Sequence, residues 1–237
     1  MLIVLPIWVF ASLLLAQTLI GGLVAILKAV HAPLYAINES VLTTTLAALM
    51  YVLTLGIVIG VPWLVKRRKV TTQDLALRAM PSWTDIWMTP VGLVVYLILS
   101  AFLIYLATNL LPWFDASQAQ DTGFSQLGQR YEYILAFITL VIIAPVAEEL
   151  LFRGYLFGKL LKSVPVWAAV IATSLLFAAV HGAWNLAFDT FALSIVLCLL
   201  RLSTGSLWAP MLLHMTKNGI AFYLLFINPL LLNTLGG

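Results

Sequence analysis

Charge is what this chain has least of. Only 9% of its 237 residues are charged, 63% are hydrophobic, and the mean hydropathy is +1.07. A soluble domain carries roughly 25% charged residues. Too few are present here to cover a water-facing surface, so lipid is much of the solvent. The chain has one cysteine, Cys198, set in an apolar run. That excludes an intrachain disulfide and a cysteine metal cluster, and leaves Cys198 as a small buried apolar residue. No HExxH occurs, which excludes a zincin helix. No GxSxG occurs either, which excludes a hydrolase nucleophile elbow. Asp189 is the sole mid-span aspartate, whereas an aspartyl membrane protease needs two on facing helices. Strand alternation and internal repeats are missing. A net charge of +3 without a basic stripe gives no case for nucleic acid as a partner. The opening residues MLIVLPIWVF lack a basic n-region, so a retained first helix is expected rather than a cleaved signal peptide.

What is present is a series of apolar runs long enough to span a bilayer. They cover residues 2–30, 41–65, 86–111, 131–162, 164–180, 184–200 and 206–232. The reading is all-α: a polytopic transmembrane helix bundle of about seven spans. Two N-terminal helices (1–69) precede a helical core (70–237). Lys66, Arg67, Arg68 and Lys69, then Lys159, Lys162 and Arg201, follow the second, fourth and sixth runs. One orientation places all of them in the cytoplasm, with the N-terminus inside. The loops 31–40 and 112–130, with Asp115 and Asp121, then lie outside. Residues 71–85 read as an interfacial segment, with Trp83 and Trp87 as belt aromatics.

Against this apolar background, ionisable residues gather in three late runs. Each intramembrane charge costs on the order of 2.5–3.5 kcal/mol even on lenient scales. Yet APVAEELLFRG (144–154) holds Glu148, Glu149 and Arg153 together. Glu149 and Arg153 are four apart on one helical face and suit an ion pair. Glu148 lies about 100° around the helix and has no basic partner on its own segment. A carboxylate in such an apolar setting beside a second one suits general-base work on water near neutral pH. Pro145 breaks the ladder three residues earlier and is expected to free the carbonyl of Val141. In FAAVHG (177–182), Phe177 and His181 share a face. In HMTKN (214–218), His214 and Asn218 share another, and both supply donors of the kind an oxyanion hole requires. Ser206 is placed to cap that last helix, with Pro210 in its first turn. Lys217 is expected to snorkel. Asp189 and Asn185 could support the site through hydrogen bonds. Two histidines and two glutamates on separate helices could also bind zinc. What remains is a glutamate-activated water, with or without a metal.

The ordered set Glu148-Glu149-x-x-x-Arg153, Phe177-x-x-x-His181, His214-x-x-x-Asn218 resembles the CPBP family over roughly residues 70–232. That family comprises the CAAX prenyl proteases of Rce1 type and bacteriocin-processing relatives, also called Abi. The resemblance implies an Rce1-like core and an intramembrane endopeptidase acting on a membrane-associated, prenylated or leader peptide. It implies that Glu148 activates the water with His181 assisting, that His214 and Asn218 stabilise the oxyanion, and that Glu149 and Arg153 shape the site. No cofactor is required by this reading. If a divalent metal such as zinc takes part, Glu148, His181 and His214 would hold it. The expected partners are a peptide or protein substrate and the lipid bilayer. Two competing readings are a non-catalytic immunity or sorting partner and, ranked last for want of repeated halves, a transporter.

Overall fold

The computed structural model describes residues 1–31, 37–67, 69–115, 124, 127–182 and 184–231. All regular structure among them is helical. Asp121 and Arg68, and the side chains of Lys66 and Asn185, lie outside what is described.

Five helices are long and apolar enough to cross a membrane. They are α1 (Val4–Ala29), α2 (Glu39–Val65), α3 (Trp83–Leu110), α4 (Arg130–Leu160) and α6 (Trp184–Thr204, apolar from Leu186). Between the last two stands α5 (Val166–Val180), and after them α7 (Trp208–Phe222), which runs on through a π turn, Tyr223–Ile227. The chain is thus a multi-pass integral membrane protein. Of the seven expected spans, the fifth is the short one. At 15 residues, α5 reaches only ~22 Å, against a hydrocarbon core of about 30 Å.

Local chemistry sets the helix ends. Ser82 caps α3: its hydroxyl accepts from the Asp85 N–H at 3.2 Å, while Asp85 Oδ2 accepts from the Ser82 N–H at 2.8 Å. This reciprocal box satisfies two orphan donors. Trp83 and Trp87 are 75% and 69% exposed on the first turns of α3. Ser206 Oγ accepts from the Trp208 N–H at 3.1 Å, as expected for the start of α7. Gly182, at φ +68°, stops α5 directly after His181. Glycine tolerates this left-handed conformation without a Cβ clash.

The chain forms two compact units that interleave in sequence. One comprises Met1–Phe10, Lys69–Gln120 and Glu148–His214. In it α6 packs against both α3 and α5, and the 150–157 stretch of α4 packs on α5. Leu151, Phe152, Leu156, Phe157, Leu193 and Leu197 fill its core. Asp189 of α6 joins α3 by two short bonds: Tyr96 Oη and Ser100 Oγ each donate to its Oδ1 at 2.6 Å.

The other unit comprises Ala11–Arg68, Asp121–Ala147 and Met215–Gly237. Its α2 packs on the first half of α4. Asn38, which caps α2, also donates to Glu132 Oε1 at 2.6 Å, and Thr139 Oγ1 meets Thr44 Oγ1 at 3.0 Å. Phe124, Ala136, Val141 and Phe222 form its buried cluster.

Proline reshapes α4, but one residue away from the expected place. The helix widens to a π register over Ile138–Ile143, and the Ala144 N–H bonds to the Thr139 carbonyl, five residues back. In that register Pro145, which has no N–H, stands opposite the carbonyl of Leu140 rather than Val141. Asn218 Nδ2 donates to the Leu140 carbonyl at 2.9 Å.

Candidate active site

Most of the expected residues converge in the first unit, through contacts that begin at Glu149. Its side chain is fully buried, and its Oε1 accepts from Arg153 Nη1 at 2.9 Å. The same oxygen lies 2.9 Å from His214 Nδ1. The spacing of four on α4 therefore forms the pair read from the sequence. A carboxylate accepts, so His214 carries its proton on Nδ1 and turns Nε2 the other way. There Nε2 stands 3.8 Å from Glu148 Oε2. Glu148 thus faces an imidazole from α7. That contact was beyond reach of the sequence, since nothing in helical spacing fixes which helices meet.

Phe177 ties the other groups together. The Arg153 guanidinium sits 4.3 Å over its ring, a cation–π contact that favours the charge in an apolar interior. The Phe177 ring centroid is 4.7 Å from that of His181 and 5.8 Å from that of His214. His181 Nδ1 lies 2.7 Å from the Phe177 carbonyl. A carbonyl can only accept, so this nitrogen is protonated and Nε2 presents a lone pair in the neutral ring.

Burial grades across the group. Glu149 and Arg153 are fully enclosed, His214 is 3% exposed, and the Glu148 side chain keeps 15%. The inner pair is structural in position; the outer carboxylate is the one that water can reach. At 3.8 Å, Glu148 Oε2 and His214 Nε2 are too far apart for a direct hydrogen bond, yet close enough for one water to bond to both.

Asn218 belongs to the second unit, one turn beyond His214 on α7. One of its amide protons serves the Leu140 carbonyl, which sequence reasoning missed because π register is invisible in composition. The Asp189 bonds to Tyr96 and Ser100 were missed too. Their signal was the i, i+4 spacing of two hydroxyls on apolar α3. As for a metal, no group of three or more His, Cys, Asp or Glu side chains gathers at ligand spacing among the described residues. Glu148, His181 and His214 therefore do not fit as a preformed zinc cage in this conformation.

Comparison with known proteins fits the same stretch. The family model for type II CAAX prenyl endopeptidase Rce1-like proteins matches residues 130–220. This stretch is similar to that family. It contains all seven residues singled out above. Among curated relatives, the membrane-embedded CAAX protease MroQ of Staphylococcus aureus is 32% identical over 94 residues, 37% of this chain and 38% of that protein. An uncharacterized 24.3 kDa protein of Escherichia coli is 35% identical over 98 residues, 38% of this chain and 45% of that protein. Uncharacterized protein YpbD of Bacillus subtilis is 32% identical over 109 residues, 44% and 53% of the two chains. The chain spans about half, or less, of the length of these relatives. No solved structure matches.

Proposed function

We propose that the Rce1-like region hydrolyses a peptide bond in a membrane-associated substrate, with Glu148 activating the water. The observation that carries this reading is Glu148 Oε2 at 3.8 Å from His214 Nε2, with Nδ1 of that ring fixed by buried Glu149. A water bonded to Glu148 gives up a proton to it as its oxygen attacks the scissile carbonyl. The carbonyl π bond opens, and the new oxyanion takes hydrogen bonds from Asn218 and from His214, for which the step requires a second ring proton on Nε2. His181, whose Nε2 is free to accept, assists by holding the water. The C–N bond then breaks, and the proton held on Glu148 passes to the leaving amine. Glu149 and Arg153 keep the His214 ring in place. The substrates that fit are leader peptides, lipid-anchored proteins or prenylated C-termini.

The test is cleavage of a candidate peptide by purified Glu148→Ala and His181→Ala proteins. Loss of turnover with the fold retained supports the reading. If both variants keep the cellular phenotype of the parent, the protein acts as a non-catalytic immunity or sorting partner and the reading fails.

A further inference from the structure

Helical hydroxyls inside a membrane usually satisfy themselves on the carbonyl one turn back. This chain follows that habit at Thr18, Thr45, Thr54, Thr89, Thr108, Thr139 and Thr190, each bonded to its i−4 carbonyl at 2.7–2.9 Å. Three buried hydroxyls lack that bond and any substitute for it on nitrogen or oxygen. Thr173 and Ser174 on α5 and Ser194 on α6 are all fully buried, and none of their oxygens bonds to a nitrogen or another oxygen among the described residues.

The same interior holds further orphans. Arg153 Nε and Nη2 and Glu149 Oε2 are buried and also without a hydrogen bond. These groups are connected. The Cys198 thiol on α6, a weak partner, lies within hydrogen-bonding reach of Arg153 and Ser174 and within electrostatic reach of Glu149. Ser194 stands one turn before Cys198, and Thr173 one turn before Phe177, which carries the Arg153 guanidinium. Two guanidinium nitrogens, three hydroxyls and one carboxylate oxygen are thus left with donor and acceptor capacity unused. A buried ion pair holds its charges only when further hydrogen bonds complete them, and buried polar groups left bare are rare in native proteins.

We propose that Arg153, Glu149, Ser174 and Cys198, with Thr173 and Ser194 one turn away, enclose an internal water site between α4, α5 and α6. Water is the ligand whose chemistry fits, because it accepts from the guanidinium and donates to Glu149 Oε2 or a hydroxyl oxygen. The site acts as a polar floor that completes the hydrogen bonding of the Glu149–Arg153 pair. It stands apart from the peptidase reading, since it requires no turnover.

Radiolytic hydroxyl-radical footprinting of the intact protein in lipid nanodiscs tests it, because radicals form from bound water in place. Cys198 is buried. The expected result is oxidation of Cys198 in the folded protein, while a bulky maleimide leaves it unmodified. Ser174→Val, which fills the space with methyl groups, should at least halve that oxidation. An unoxidised Cys198, or oxidation unchanged by Ser174→Val, overturns the proposal, as does modification by the maleimide, which would mean an open crevice. Thermal unfolding gives an independent sign. Thr173→Val and Ser194→Ala should each lower Tm by about 2–4 °C if they remove a bond to water. A rise in Tm for both would mean dry orphans relieved, and would refute the site.

Discussion

Replacing Glu149 by glutamine tests the core of this arrangement, because it removes one charge and almost no volume. Arg153 would remain fully enclosed, with its Nη1 bond to Oε1 no longer charge-balanced. His214 Nδ1 would lose the carboxylate that fixes its proton. Stranding one member of a buried pair costs about 3–5 kcal/mol. In a chain of this size each kcal/mol shifts Tm by about 2–4 °C. Glu149→Gln should therefore melt about 6–20 °C below the parent, measured by intrinsic tryptophan fluorescence in detergent. Arg153→Met should fall comparably, for it leaves Glu149 as the bare charge. The double variant Glu149→Gln/Arg153→Met should be milder than the sum of the two, because it strands neither charge. Single variants within about 2 °C of the parent, or strictly additive shifts, would refute the claim that the pair is mutually dependent.

Other expectations follow from the same geometry. Tyr96→Phe and Ser100→Ala each remove a 2.6 Å bond to Asp189 Oδ1, and each should cost about 1.5–3 kcal/mol of stability by chemical denaturation; no loss for either would mean the clamp between α3 and α6 is idle. Asn218→Ala leaves the Leu140 carbonyl bare and should cost about 1–3 kcal/mol. Adding Pro145→Ala supplies an N–H there and should return part of that loss, whereas a further loss would refute the π-register account. Asp74 lies in the exposed segment before α3, where the Thr71 N–H and hydroxyl, and then Lys162, hold its carboxyl below the usual carboxylate range. Its folded-state value is depressed, so its contribution to order is present at neutral pH and is lost as pH falls through that depressed value. Hydrogen exchange at the amides of 71–77 should speed up only in strong acid, and acceleration already near pH 6 would contradict the pairing.

How much of this was readable in advance divides along a physical line. Relations within one helix were legible. The Glu149–Arg153 pair, the Phe177–His181 packing, the Ser206 cap and the break at Pro145 all follow from spacing at 3.6 residues per turn. Relations between helices were not. That Glu148 meets His214, and that Asp189 meets Tyr96 and Ser100, depends on which faces pack, and near-uniform hydrophobicity leaves those faces unmarked. The Val141 expectation missed by one residue for a related reason. It assumed α register, while the chain widened to π ahead of the proline and moved the bare carbonyl to Leu140. Span length failed at α5 because the apolar run from residue 164 includes Val164 and Pro165, which precede the helix.

The central claim is that Glu148 takes a proton from water at a carbonyl. Its most direct test is mass-spectrometric cleavage of a membrane-anchored peptide library by purified parent and Glu148→Gln proteins in the same nanodiscs. The account predicts defined new C-termini from the parent, and a fall in rate of about 10²–10⁴ for Glu148→Gln with an unchanged Tm. Equal cleavage by both proteins would contradict it.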